Sequence, residues 1–176
     1  MSEQFLIGWA EVSITPDRPV LLAGQFYERV SEYVETPVTV TAMALEAHGT
    51  RLVICSCDLS SVDVGLLKAV RENVCSKSDL MPQEIILAAT HNHTSLKYKF
   101  EENRLKGGLA VMERYSSKPE PKSLSDELMS ETDALNFLTE RISKAVLDAW
   151  SARVPSKIAA GFGRAAIGMC RRAVYD

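Results

Sequence analysis

Residues 51–90, "RLVICSCDLSSVDVGLLKAVRENVCSKSDLMPQEIILAAT", form the stretch that decides the fold. Its two ends, "RLVICSCD" and "EIILAAT", are apolar runs with β-branched residues, which predicts two strands. Between them apolar residues recur at helical spacing, and Ser60 followed by Asp63 predicts a capping box at the start of a helix. A strand, helix, strand order makes the two strands parallel, and the crossover between them is normally right-handed.

The flanking segments extend this unit into a mixed sheet. "QFLIGWAEVSIT" (4–15) predicts a first strand, and "VTVTAMALEA" (38–47) joins 51–58 through "HGT", which favours an antiparallel hairpin. Ser130 with Asp133 predicts the start of a second helix that Pro155 stops, and residues 157–176 are expected to form one or two further strands. We therefore predict a single α/β (or α+β) domain over residues 1–176, with helices packed on the sheet and a flexible loop at residues 94–125.

Composition narrows the classes of function. A formal net charge of −3 over 176 residues gives no electrostatic reason to expect nucleic acid or an anionic membrane as a partner. No apolar stretch of about 18 residues predicts a transmembrane segment, and the first residues lack the pattern of a secretory signal, so a cytoplasmic location is expected. The four cysteines show no C-x-x-C pair, which favours buried core residues over a metal or disulfide role.

Two of the three histidines stand together in "THNHT" (90–94). The predicted parallel strands deliver Asp58, His91 and His93 to the carboxyl edge of the sheet, where open α/β sheets bind ligands. With an extended chain, the two histidines point the same way with Cα atoms about 7 Å apart. His48 lies in the hairpin turn at the opposite edge. The spacing suits either a metal site that Asp58 supports or a polar strand end whose imidazoles bond to the backbone.

The segment "ILAATHNHTS" (86–95) resembles the strand and histidine motif of the neutral/alkaline non-lysosomal ceramidase family. Four further stretches resemble family segments in the same order: "IGWAEVSITP" (7–16), "PVTVTAMALE" (37–46), "LVICSCDLS" (52–60) and "GFGRAAIGMCRR" (161–172). The resemblance implies the amino-terminal portion of a zinc-dependent amide hydrolase. It also implies that His91 is a zinc ligand and that His93 polarises the substrate carbonyl or steadies the oxyanion. Where the family commonly has Asn before its arginine, this chain has Cys170 before Arg171 and Arg172, and this pair either binds an anionic substrate group or forms a solvated or salt-bridged surface.

Two further differences from the family pattern keep alternatives open. The family has S-G-P-G-G after its histidines, whereas this chain has "TSLKYK" (94–99), so a soluble N-acyl or peptide-like substrate is an alternative to ceramide. The family's other zinc ligands lie in chain beyond this portion. The site would then be completed by Asp58, Glu32 or Glu35, by a second copy, or by a missing carboxy-terminal region. Without completion, the chain is a non-catalytic module or an incomplete fragment.

Overall fold

The computed structural model describes residues 5–24, 29–98 and 127–168. Its strands are β1 (Phe5–Ser13), β2 (Thr39–Ala47), β3 (Thr50–Cys57), β4 (Ile85–Ala89) and β5 (Val154–Ser156). Its α-helices are α1 (Val64–Cys75) and α2 (Glu131–Ser151), and a 3-10 turn (Pro82–Glu84) precedes β4. The sheet has the order β4-β3-β2-β1-β5, with β3 and β4 parallel and the other neighbours antiparallel. The predicted mixed sheet with a hairpin and a strand, helix, strand unit is confirmed.

The start of α1 differs from the prediction. Asp63, not Ser60, is the N-cap, and its Oδ1 accepts a hydrogen bond of 2.7 Å from the backbone N–H of Leu66. Residues 58–63 first leave the carboxyl end of β3 without helical structure, so the helix begins only at Val64. The second predicted cap is confirmed, because the Ser130 side chain accepts from the backbone N–H of Asp133.

The hairpin between β2 and β3 closes through the two-residue loop His48–Gly49. Both residues have positive φ, 52° for His48 and 74° for Gly49, which is the pattern of a type I′ turn. This turn matches the twist of the flanking strands and fixes their register, in which Ala47 pairs with Thr50 and Val40 with Cys57. It lies at the end of the sheet opposite to the carboxyl ends of β3 and β4.

The expectation of strands in residues 157–176 is wrong for the part that the structure describes. The strand after α2 is β5, which pairs with β1 through Val154 and Ile7. Residues 157–168 form no strand and are exposed. Val154 lies three residues beyond the end of α2, so the chain pairs with the edge of β1 that does not face β2 directly after the helix. This pairing of β5 with β1 ends at Ser156. Residues 169–176 lie outside the described residues.

The two faces of the sheet differ. Both helices share one core cluster with the strand residues of a single face, among them Val12, Val40, Ala42, Ala44, Val53, Cys55, Cys57 and Ile85. The opposite face, which we call the open face, carries two cross-strand rows of apolar side chains. One row is Trp9, Met43, Ile54 and Ile86, and the other is Val154, Ile7, Leu45 and Leu52. All eight are partly or fully exposed.

Candidate functional site

The carboxyl ends of β3 and β4 meet as predicted. After β4, the backbone N–H of Thr90 donates to Cys57 O at 2.9 Å, and that of Asn92 donates to Leu59 O at 3.0 Å. The loop that carries the two histidines is therefore fixed against the loop that follows β3. This pairing places Asp58 and both imidazoles at one rim of the sheet.

The two histidine rings are in direct contact. Their Nε2 atoms are 3.2 Å apart, and the ring centroids are 4.7 Å apart with the planes at 77°. Both side chains are exposed. The expected extended backbone is wrong, because His91 has φ 63°, in the left-handed region. The turn at His91 brings the two rings edge to face, closer together than two parallel side chains of an extended strand would be.

A backbone carbonyl determines which nitrogen of His91 carries the proton. His91 Nδ1 lies 2.7 Å from Ser60 O, and a carbonyl oxygen only accepts hydrogen bonds, so Nδ1 carries hydrogen and donates. In the neutral ring Nε2 then holds a lone pair, which accepts the Nε2–H of His93 at 3.2 Å. This is the arrangement that metal-binding histidines adopt in proteins, where the second nitrogen donates to a carbonyl or carboxylate.

His93 is held by a segment that the sequence did not single out. Arg29 Nη2 donates to His93 O at 2.7 Å. Gly24 has φ +82°, and a Cβ on it would lie 2.6 Å from His93 Cγ. Glycine is therefore required at position 24 both for its backbone conformation and because the imidazole packs against its Cα.

Residues 20–24 and 29–31 reach the site by pairing with the loop after β4. The N–H of Leu22 donates to Arg29 O at 2.8 Å, and the N–H of Ala23 donates to Ser95 O at 2.9 Å. An isolated bridge joins Leu22 to Leu96. The stretch is too short to show a periodic pattern in the sequence, and Gly24 after the apolar residues 20–23 is the signal that could have indicated it.

Asp58 supports the site from its side. Its Oδ2 accepts from the backbone N–H of Thr39 at 3.0 Å, and its Oδ1 accepts from Thr90 Oγ1 at 3.2 Å. The carboxylate thus ties the start of β2 to the residue before His91. Asp58 therefore supports the histidine loop through its hydrogen bond with Thr90.

His91 fits one ligand position of a zinc site, because its Nδ1–H is held by Ser60 O and its Nε2 carries the lone pair that a metal requires. A catalytic zinc needs three protein ligands. Within residues 5–24, 29–98 and 127–168, no group of three or more His, Cys, Asp or Glu side chains could hold a metal ion. Arg171 and Arg172 lie outside the described residues.

The segment after the histidines is part of the core. Residues 99–125 of the predicted flexible loop lie outside the described residues, but Ser95, Leu96 and Tyr98 are buried. The Tyr98 hydroxyl donates to Ser61 O at 2.9 Å and accepts from the N–H of Asp63 at 3.1 Å. Burial raises the pKa of Tyr98 to about 12, so the phenol is neutral at pH 7. Residues 95–98 therefore pack under the loop after β3.

Comparison with solved structures gives the class of this fold. A neutral ceramidase from Pseudomonas aeruginosa superposes with a TM-score of 0.65 at 16% sequence identity, over 88% of this chain and 23% of that chain. A ceramidase complexed with C2 gives a TM-score of 0.60 at 17% identity, over 88% and 22%. The chain thus has the fold of a portion of neutral ceramidase, as the motifs predicted, and spans about a quarter of the length of those proteins.

Comparisons by sequence add nothing to this result. No family model matches the chain, and no curated protein matches it. Neither α1 nor α2, nor any other helix in the described part of the chain, combines the length and apolarity needed to cross a bilayer. The cytoplasmic location stays a prediction.

Proposed function

We propose that this chain carries part of the active site of a zinc-dependent amide hydrolase related to neutral ceramidase. The observation that carries the proposal is the tautomer of His91, that is, which of its ring nitrogens carries hydrogen. Its Nδ1–H is bound to Ser60 O, which leaves the Nε2 lone pair exposed at the carboxyl edge, 3.2 Å from His93 Nε2. A fold shared with a portion of neutral ceramidase supports the same reading.

Each residue has a distinct role in this proposal. His91 would hold the metal through Nε2. His93, whose backbone is fixed by Arg29, would present its Nε2–H to the carbonyl oxygen of the scissile amide. Asp58 would keep Thr90, and hence the histidine loop, in place.

Zinc, when bound, would supply a Lewis acid and a water of lowered pKa. Hydrolysis then cleaves the amide C–N bond, with water giving the carboxylic acid and the amine taking a proton. The further zinc ligands would come from polypeptide outside the described residues. Arg171 and Arg172 would bind an anionic group of the substrate.

Ceramide is the substrate that the fold suggests, and a soluble N-acyl or peptide-like substrate is the second candidate. A specific observation favours the second. Where the ceramidase pattern has a glycine-rich loop after the histidines, this chain has Ser95, Leu96 and Tyr98 packed into the core. A substrate in this protein therefore meets a different surface there, which would suit a cytoplasmic enzyme acting on small N-acyl compounds.

The test is the zinc content and amidase activity of His91→Asn beside His48→Asn. Asparagine tolerates the left-handed backbone of both positions, φ 63° and φ 52°, so each variant loses an imidazole with little change in backbone strain. His48 lies at the opposite end of the sheet and is the matched control. We expect His91→Asn to lose zinc and activity by more than the 10- to 100-fold typical of residues that only support a ligand, and His48→Asn to retain both.

Zinc content that is the same in the wild type and in His91→Asn would refute the metal role. Activity should be measured on N-acyl sphingosine and on short N-acyl amino compounds in parallel, which separates the two substrate classes. Zinc binding without hydrolysis of either class would show a non-catalytic module.

A further inference from the structure

The side chain of Asn92 closes a turn around His93. Its Oδ1 accepts a hydrogen bond of 2.7 Å from the backbone N–H of Thr94 and another of 2.7 Å from the Thr94 hydroxyl. The accepting atom must be the amide oxygen, because a backbone N–H only donates. This arrangement is an Asx turn, in which an asparagine side chain bonds to the backbone two residues further on. The residues on both sides of His93 are therefore bonded to each other.

The main chain of Asn92 ties this turn to its surroundings. Its N–H donates to Leu59 O at 3.0 Å, and its carbonyl accepts from Ser95 Oγ at 3.4 Å. Ser95 is 1% exposed, and its own carbonyl accepts from the N–H of Ala23 at 2.9 Å. Asn92 thus links the loop after β3 to the buried residues that follow the histidines.

The two imidazole rings depend on the Asx turn to different degrees. The ring of His91 has its own fixed point, because its Nδ1–H donates to Ser60 O at 2.7 Å. The ring of His93 has one hydrogen-bond partner in the described part of the chain, which is His91 Nε2. Arg29 holds only the carbonyl of His93, and Gly24 limits the ring on one side. The Asx turn is the contact that spans His93 and so fixes the direction in which its side chain leaves the backbone.

We propose that Asn92 is a positioning residue, which places the ring of His93 against His91 and leaves the metal-binding nitrogen of His91 unaffected. The catalytic part of this role rests on the proposed function, in which His93 donates to the carbonyl oxygen of the substrate. When the Asn92 oxygen is removed, Thr94 loses its acceptor and the backbone at His93 gains freedom that an exposed ring does not restrict. The placement of the donor then changes, whereas the hold of Ser60 on His91 remains.

Three substitutions vary the acceptor at position 92. Asn92→Asp keeps a carboxylate acceptor in the same place, Asn92→Ser keeps a weaker one, and Asn92→Ala removes it. Ser78→Ala is the matched control, because Ser78 Oγ also accepts from the N–H two residues further on, that of Leu80, at 3.3 Å. Ser78 lies between α1 and the amino end of β4, at the edge of the sheet opposite to the histidines.

The first readout is the nuclear Overhauser effect between the ring protons of His91 and His93 in the zinc-free protein. We expect the wild type, Asn92→Asp and Ser78→Ala to show this effect. It should be weaker in Asn92→Ser and lost in Asn92→Ala.

The second readout is zinc content beside kcat for the zinc-loaded protein. We expect Asn92→Ala to keep its zinc and to lower kcat by about 10- to 100-fold, the loss typical of residues that hold a metal-site group in place. This result would differ from that of His91→Asn, which should lose zinc.

Three results would overturn the proposal. They are an Overhauser effect of equal strength in Asn92→Ala and the wild type, loss of that effect in Ser78→Ala, and loss of zinc in Asn92→Ala. The first readout requires neither zinc nor substrate. A protein that binds no zinc, yet loses the ring contact in Asn92→Ala alone, would therefore refute the hydrolase proposal and support the positioning role.

Discussion

Gly24→Ala tests whether the segment that sequence analysis missed positions His93. Alanine in the left-handed region costs about 1–2 kcal/mol. Its Cβ would lie 2.6 Å from His93 Cγ, so the ring must move by about 0.8 Å to reach the ordinary contact distance of 3.4 Å. Because Arg29 holds the His93 carbonyl, the movement falls on the side chain, and an off-rotamer imidazole costs about 0.5–1.5 kcal/mol more.

The matched control for this substitution is Gly49→Ala. Gly49 has φ +74°, but nothing lies within 4 Å of an added Cβ, so this variant bears only the conformational cost. We expect the melting temperature of Gly24→Ala, measured by circular dichroism, to lie below that of Gly49→Ala. The difference should be about 2–4 °C for each kcal/mol that displacement of the His93 ring adds to the cost. Ring ¹⁵N–¹H correlation spectra should show His93 shifted in Gly24→Ala alone. Equal melting temperatures with unchanged His93 resonances would refute the positioning role.

Three further outcomes concern Tyr98, two core cysteines and Asp58. Tyr98→Phe should lose about 1–3 kcal/mol at pH 7, since two part-buried backbone groups lose their partner. The folded-state pKa of Tyr98 is raised, so its contribution is complete below pH 10 and falls as pH rises toward 12; urea unfolding of the wild type should weaken over that range, and a Tyr98→Phe protein with the same slope would contradict this. Cys55 and Cys57 should react with a thiol reagent only on unfolding, because burial raises the pKa of both thiols. Rapid labelling of either of these two thiols in the native protein would argue that they are not core residues. Asp58→Asn should destabilise the protein by about 1–2 kcal/mol and retain zinc, as atomic absorption would show, whereas loss of zinc at full stability would make Asp58 a ligand.

The sequence predicted the features that depend on periodicity and topology. Leu66, Val70 and Val74 recur at helical spacing and are buried on α1, and the parallel pairing of β3 with β4 followed from that helix alone. The convergence of Asp58 with the histidine loop then required only the rule that parallel strands end at one edge.

What escaped prediction depends on single backbone torsions and on contacts between distant segments. The φ of 63° at His91 has no signature in the letters "HNH", so the edge-to-face contact of the rings could not be foreseen. The capping error has the same origin, because Ser60 and Asp63 are both good cap residues and only the path of the chain selects Asp63. The contact of Gly24 with His93 joins residues far apart in sequence without a shared pattern.

The backbone of His91 has a consequence for how this protein responds to selection. A left-handed backbone conformation at a residue other than glycine, here His91, costs about 1–2 kcal/mol of folding free energy, and glycine would relieve that cost. Glycine would also lose the Nδ1–H bond to Ser60 O, worth about 0.5–1.5 kcal/mol, and would leave the unfolded chain freer. These effects offset one another, so a library screened only for heat resistance should tolerate glycine and histidine at codon 91 about equally, whereas one screened for turnover should retain histidine.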